Sequence, residues 1–410
     1  MYITMYRLAL VLGATSVVLS GCTAADKTPP ALAIGVLSAT TGGDAKAGDD
    51  AVRGAQLAVE VVNDDHSKLP VLLGPGIGLP RLNGAKLTLV SVDTRGNPEE
   101  AARQSIDMVT QRHPVGVIVA DSAQVAAATA SEMQRLRVPL LDASGTADYL
   151  TELGLDWYFR TGPSDRLLTE GAFAMLRREL PAGAPKVALV AEAGGDSATG
   201  SSAVKEAAER SASSVVFEHE WQGGDSANAE LIAKLKTSGA EAVVAWAHTA
   251  GGAAGIIRTV ASATSRPVVG LGKGFRQLTQ PPATGAMMLR SVAWSAEFAT
   301  RSPAAQGVTQ LYEKRFGHPM TDAAAAAFTS TIALAVAVDA SGSQDTAAIR
   351  TALRQESLPP TQMIMPWNGV QFAADGHNSR AAGTIEAWEG TTYRVVHPAE
   401  LAARPLRWPA

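Results

Sequence analysis

The sequence predicts an α/β protein built as two doubly wound parallel-sheet lobes. Three observations carry this expectation. From Leu32 onward, short apolar runs of strand length alternate with helical patterns. The alternation starts afresh at Ser164. After Pro303 it gives way to long helical stretches and then to short strand-like pieces. Strand and helix in strict alternation require crossovers onto a parallel sheet with helices on both faces, and two such series make two sheets.

Taken in order, Leu32–Leu37 is a buried strand. Asp50–Asn63 follows as a helix, with Val52, Ala55, Val59 and Val62 along one stripe. A polar, proline-rich stretch, Ser67–Asn83, reads as a surface insertion before the strand Leu87–Val92. Asn97-Pro98-Glu99-Glu100 opens the next helix: Asn caps, Pro takes the first helical position, and the acids face the positive end of the dipole. Val115–Val119, a helix near Gln124–Arg135, Val138–Leu141 and Trp157–Arg160 complete the first series. In the second, Ser164 and Asp165 cap a helix to Leu180. Then come Val187–Val190, a helix over Ser201–Arg210, Val215–Phe217, and a helix over Ser226–Thr237 that stops near Gly239. Ala242–Ala245, a helix near Ala253–Ala261 and Val268–Val269 close the series. The last third offers helices over Pro303–Phe316, Ala323–Ala340 and Thr346–Gln355, the last capped by Asp345. Strand-like pieces follow at Gly369–Phe372, Ile385–Trp388 and Tyr393–Val396, the last two flanking a Glu389-Gly390 turn.

Composition bounds the function. The chain has 410 residues, enough for two or three domains. With 46% apolar and 18% charged residues it reads as globular, and a net charge of −4 gives no basic surplus for nucleic acid. A single cysteine, Cys22, rules out an intrachain disulfide and a cysteine zinc site. The seven histidines are widely separated, so no metal site is expected. The N-terminus reads as an export signal over 1–21: a short head with Arg7, an apolar run Leu8–Leu19 too short to span a bilayer, and Leu19-Ser20-Gly21-Cys22. That tetrad resembles the bacterial lipobox, which makes Cys22 the lipidated first residue of the mature chain and 22–30 its tether. The expected location is the outer face of the cytoplasmic membrane, touched through the lipid anchor only.

Several segments in order carry a family resemblance. Leu32–Asn63 holds a strand, a glycine-rich loop and a Gly-Ala helix. Leu87–Gln111 holds a strand, an Asp93/Pro98 turn and a helix. Val138–Thr146 (VPLLDASGT), Tyr158–Asp165 (YFRTGPSD) and Met365–Phe372 with Asp375–Asn378 follow. Together they resemble the type I periplasmic binding proteins, and most of all the branched-chain amino-acid-binding branch of ABC-transporter substrate-binding proteins. The resemblance implies two lobes joined by three crossovers, with lobe 1 over 31–162 and 294–362 and lobe 2 over 163–293 and 363–410. It also implies a small-molecule ligand between the lobes, an inner-membrane ABC permease as partner, no cofactor and no catalytic residue.

Carried over residue by residue, the resemblance nominates loops that follow strands. After the third strand it places the ligand carboxylate at Ala123, with Ser122 one residue earlier. Ser122 can donate at a helix start, whose free N–H groups face an anion, or it can be a plain N-cap. Ser144, Gly145 and Thr146 form the loop expected to clamp an amino-acid backbone. In the second lobe the pattern departs. An expected tyrosine maps near Thr199-Gly200, an aromatic near Trp246–Thr249, and a further tyrosine near Phe328. The acid that would pair with a ligand ammonium maps near Gly272, beside Lys273. Without that acid a buried ammonium has no counter-charge, which leaves Trp246 and His248 to meet a different small molecule, with core packing the alternative for Trp246. Asp142 is the candidate replacement for the missing acid. The loop Ser38–Gly43 is either cleft lining or a tight turn; no phosphate-cradling pattern exists, since Gly272-Lys273 is followed by Gly274.

Two other functions compete. A receptor-coupled sensor lipoprotein would share every feature above. An exported serine hydrolase would use Ser202-Ala203-Val204-Lys205, with Lys236-Thr237-Ser238-Gly239 as a weak echo of Lys-Thr-Gly. That route needs Lys205 neutral beside Ser202, and Gly-x-Ser-x-Gly is absent.

Overall fold

The computed structural model describes residues 31–180, 184–223, 225–282 and 285–409; Cys22 and the tether lie outside them. The first lobe is built on a five-stranded, wholly parallel sheet. Its strands are β1 (Leu32–Ser38), β2 (Leu87–Asp93), β3 (Gly116–Ala120), β4 (Leu140–Asp142) and β5 (Tyr158–Arg160), in the order β2-β1-β3-β4-β5. The connecting helices are α1 (Ala45–Asn63), α2 (Pro98–Arg112) and α3 (Ala123–Leu136). Every residue of β3 is buried, as expected of a strand covered on both faces.

The second lobe carries seven strands. After α4 (Asp165–Glu179) come β6 (Lys186–Glu192), α5 (Ser197–Arg210), β7 (Ser214–Trp221), α6 (Asp225–Thr237), β8 (Ala242–Trp246), α7 (Ala250–Ala263), β9 (Val268–Leu271), α8 (Gly272–Gln277) and β10 (Met288–Val292). The chain then returns to the first lobe through α9 (Ala296–Ala299), α10 (Pro303–Phe316), α11 (Asp322–Ser341) and α12 (Thr346–Gln355). It ends with β11 (Thr384–Trp388) and β12 (Tyr393–His397) back in the second sheet, whose order is β12-β11-β10-β9-β8-β6-β7. β11 runs antiparallel to both of its neighbours; the other pairings in this sheet are parallel.

The protein is therefore two doubly wound lobes joined by three chain crossings. The crossings lie side by side and are stitched together: Asn378 Nδ2 donates to the Thr161 carbonyl at 3.0 Å, Ser330 Oγ to Thr161 Oγ1 at 3.0 Å, and Trp367 Nε1 to the Ala293 carbonyl at 2.9 Å. α11 is apolar on all sides because it is the central helix of the first lobe, packed against α1 and buried along nearly its whole length.

Several expectations need amendment. β10 escapes a hydropathy reading because Arg290 sits mid-strand, where it pairs with Glu386 at 2.8 Å and stacks 3.6 Å from the centre of the Tyr393 ring. The stretch Ser67–Asn83 is no mere surface insertion: Leu69, Val71 and Leu79 are buried in the first lobe's core. Gly369–Phe372 forms no strand, only isolated bridges at Leu358–Val370 and Phe372–Asn378. Met365, Trp367, Val370 and Phe372 join the core of the first lobe, although they fall in the range the resemblance gives to the second. The Glu389-Gly390 turn closes the β11–β12 hairpin, with the Glu389 N–H donating to the Thr392 carbonyl at 2.9 Å.

Candidate ligand-binding cleft

A cavity of about 130 Å³ lies between the lobes. An engineered apolar cavity of roughly 150 Å³ holds benzene, so the space suits a small molecule. The first lobe contributes Asp44, Ser122, Gln124 and Thr146; the second contributes Gly195, Asp196, Trp246, His248 and Lys273. All sit at or just beyond the carboxyl ends of strands, where open parallel sheets present ligands.

Ser122 caps α3. Its Oγ accepts from the Val125 N–H at 3.3 Å, and its own N–H donates to Asp121 Oδ1 at 2.6 Å. The hydroxyl proton is left over, and the first N–H groups of the helix lack intrahelical acceptors. Burial pushes the Asp121 carboxyl up, against the pull of a hydrogen bond from Thr94. Thr146 lines the cavity, and its carbonyl accepts from the Asp165 N–H at 2.6 Å. Asp165 is buried at the start of α4. Burial raises its carboxyl to about 6, against the pull of the Thr146 side chain nearby, and Oδ1 has no partner.

The rest of the expected clamp loop is structural. Ser144 Oγ donates to the Asp121 carbonyl at 2.7 Å, tying two loops together. Gly145 donates its N–H to Asp142 Oδ1 at 2.7 Å, and a Cβ there would fall 2.1 Å from Asp142 Oδ2. Neither lines the cavity. Asp142 also accepts from the Ser144 N–H at 3.0 Å and the Tyr158 hydroxyl at 2.8 Å, so it is not available to a ligand ammonium.

On the second lobe, Trp246 is 3% exposed and its Nε1 has no hydrogen-bond partner. Its ring slots over two glycines: a Cβ at Gly200 would lie 2.1 Å from the ring, and one at Gly272 3.1 Å. His248 is placed by Glu192, which accepts from the His248 and Thr249 N–H groups at 2.9 Å each and lies 3.2 Å from the imidazole Nδ1. Thr199 is half-buried on α5 and does not line the cavity; its neighbour Gly200 matters as the seat of Trp246. Phe328 is buried in the first lobe's core on α11, also away from the lining, because α11 presents it to the apolar cluster.

The lobes touch across the cleft. Lys273 Nζ sits 2.7 Å from Asp44 Oδ2, and Gln124 Nε2 donates to Asp196 Oδ1 at 2.5 Å. Asp44, Gln124, Gly195 and Asp196 escaped the sequence reading. For Asp196 a signal existed: the pair Gly194-Gly195 directly after a strand, both at positive φ. At the hydrolase motif, Lys205 Nζ reaches Glu218 at 3.3 Å, and no hydrogen bond joins it to Ser202 among the described residues.

Two facing lobes, stitched at a hinge with a small cavity between their strand ends, define a solute-binding protein. Residues 31–390 match the sequence profile of the periplasmic binding protein family, and the chain belongs to that family. A Leu/Ile/Val-binding protein homolog 7 of Brucella abortus (strain 2308) is 22% identical over 385 residues, covering 88% of this chain and 90% of its own. Among solved structures, an ABC transporter substrate-binding protein from Desulfitobacterium hafniense in complex with Leu superposes with a TM-score of 0.70 at 18% identity, covering 89% of this chain and 99% of its own. A solute-binding protein of an ABC transporter from R. palustris, in complex with benzoate, gives 0.67 at 18% identity, covering 92% and 98%. These likenesses share the fold.

Proposed function

We propose that the protein is the extracytoplasmic substrate-binding lipoprotein of an ABC importer, anchored through Cys22, that closes its lobes on a small solute bearing a carboxylate. One observation carries the ligand reading: the capped start of α3 with Ser122, and Thr146 on the next loop, face the cavity at the strand ends. N–H groups at a helix start favour an anion. The fold accommodates leucine in one neighbour and benzoate in another, so a carboxylate is compatible with either kind of second group. Closure is a population shift driven by contacts that only the closed form makes, and the closed form is what the permease reads. The chain has no enzymatic role in this account. The hinge is assigned near 162, 294 and 381, the third lying between the last first-lobe core residues and the return into β11.

A thermal-shift screen of the full chain over amino acids, amides, ureas and small aromatic acids tests this reading. A ligand at 100 times its Kd adds about 2.7 kcal/mol of stability. A hit whose binding is lost in Thr146→Val supports the cleft; a hit indifferent to that change moves the site elsewhere. For the anchor, Cys22→Ser abolishes palmitate labelling; equal labelling of the variant rejects lipidation.

A further inference from the structure

Behind the Thr146 wall the chain gathers acids with little to offset them. Asp165 opens α4 just past the first crossing. It is 1% exposed, and its N–H donates to the Thr146 carbonyl at 2.6 Å. Its Oδ1 is buried without a hydrogen-bond partner. Three charged groups face it from other elements: Arg276 on α8, Asp148 in the turn after Thr146, and Asp196 in the loop between β6 and α5. Asp148 Oδ2 accepts the Arg166 N–H at 3.0 Å, and Asp196 Oδ1 accepts the Gln124 amide at 2.5 Å. Both donors are neutral. Counting Asp165, three carboxyls share one guanidinium.

A solute carboxylate held at Ser122 and Thr146 sits in front of this group and adds a further negative charge. Between partly buried charges, salt screens little. One acid can discharge at small cost. Asp142 takes three donors on its carboxylate and Asp121 takes two, bonds that a proton would disturb. Asp165 has an oxygen free, and burial already holds its carboxyl at about 6. His248 is a second titratable group on the cavity, across from Thr146 and beside Glu192 at 3.2 Å. We propose that Asp165 couples solute capture to proton uptake: a carboxylate enters the cleft, and a proton from the solvent goes to the Asp165 carboxylate. This deepens the carboxylate reading above and rests on it.

Isothermal titration of the full chain with leucine, benzoate and 3-methylbutanoate, each in two buffers of different ionisation enthalpy, counts the protons. A probe that binds is expected to do so about tenfold tighter at pH 5 than at pH 8, and to bring about half a proton with it near pH 6.5. Asp165→Asn, uncharged throughout, flattens that dependence and takes up none. Binding without uptake overturns the proposal and leaves the carboxylate reading standing. So does uptake that survives in Asp165→Asn, which puts the proton on another group such as His248. Where the variant fails to fold, carbon-13 spectra of aspartate-labelled wild type decide: saturating probe moves the carboxyl that titrates near pH 6 to higher pH, and an unmoved titration overturns the proposal. If none of the three probes binds between pH 5 and 8, the carboxylate reading falls and the proposal with it.

Discussion

Facing each other across the cleft, the two lobes treat their buried polar groups in opposite ways. On the first lobe the acids behind the wall are satisfied from within. Asp142 takes two backbone N–H groups and a tyrosine hydroxyl, and Asp121 takes Thr94 and the Ser122 N–H. These bonds fix the loops that carry Ser122 and Thr146. On the second lobe Glu192 fixes its loop in the same manner, yet Trp246 keeps its indole nitrogen without a partner. A buried donor left unpaired costs roughly 1–3 kcal/mol, so the unsatisfied wall is the one that has most to gain from a ligand. The first wall is a finished receptor for a common group, and the second is where solutes are told apart.

Breaking the finished wall gives the largest expected effect. Asp142→Ala strands three donors at once, two of them backbone, and is expected to cost about 3 kcal/mol or more. Chemical denaturation of the apo protein measures it; a loss below about 1 kcal/mol means that the loop does not depend on Asp142. Next comes the acid between the lobes. Asp165 has its carboxyl raised from 3.8 to about 6 in the folded protein. The folded state therefore binds more protons than the unfolded between those values, and stability falls as pH rises from 4 to 6, by an amount on the order of 2–3 kcal/mol. Asp165→Asn removes that slope and is more stable than wild type at pH 7. Melting temperatures of both proteins across this range check the sign, and parallel profiles reject it.

Thr146→Val probes the finished wall through binding. Loss of one hydrogen bond to a charged ligand group lowers affinity roughly 10- to 150-fold. Valine keeps the shape of the side chain, so the apo variant is expected to melt within a few degrees of wild type. The smallest effect belongs to the contact between the walls. Lys273 and Asp44 are partly exposed, with side chains 30% and 41% accessible, so Lys273→Met changes stability by only about 0–1 kcal/mol. It is expected to raise the radius of gyration of the apo protein in small-angle scattering, a shift that high salt reproduces in wild type. An unchanged radius removes the pair as a latch.

Local pattern was enough for the two lobes and most of their element order, because burial on a parallel sheet writes short apolar runs and amphipathic helices directly into the chain. Caps were legible for the same reason: Asn97, Ser164 and Asp345 each accept the N–H three residues on, a contact within one turn. Of the nominated site residues, Ser122, Thr146, Trp246 and His248 line the cavity, each reachable by counting from a strand end. Phe328 does not, because which face of an all-apolar helix meets the cleft is set by packing, not by composition. Arg290 hid a strand because its charge is matched by Glu386, 96 residues away. The seat of Trp246 needs Gly200 and Gly272 from two other segments, and Lys273 meets Asp44 across 229 residues. Such pairings leave no periodicity in either partner's own neighbourhood. They come into being only when the lobes fold and close against each other, so the chemistry of the second wall belongs to the tertiary structure.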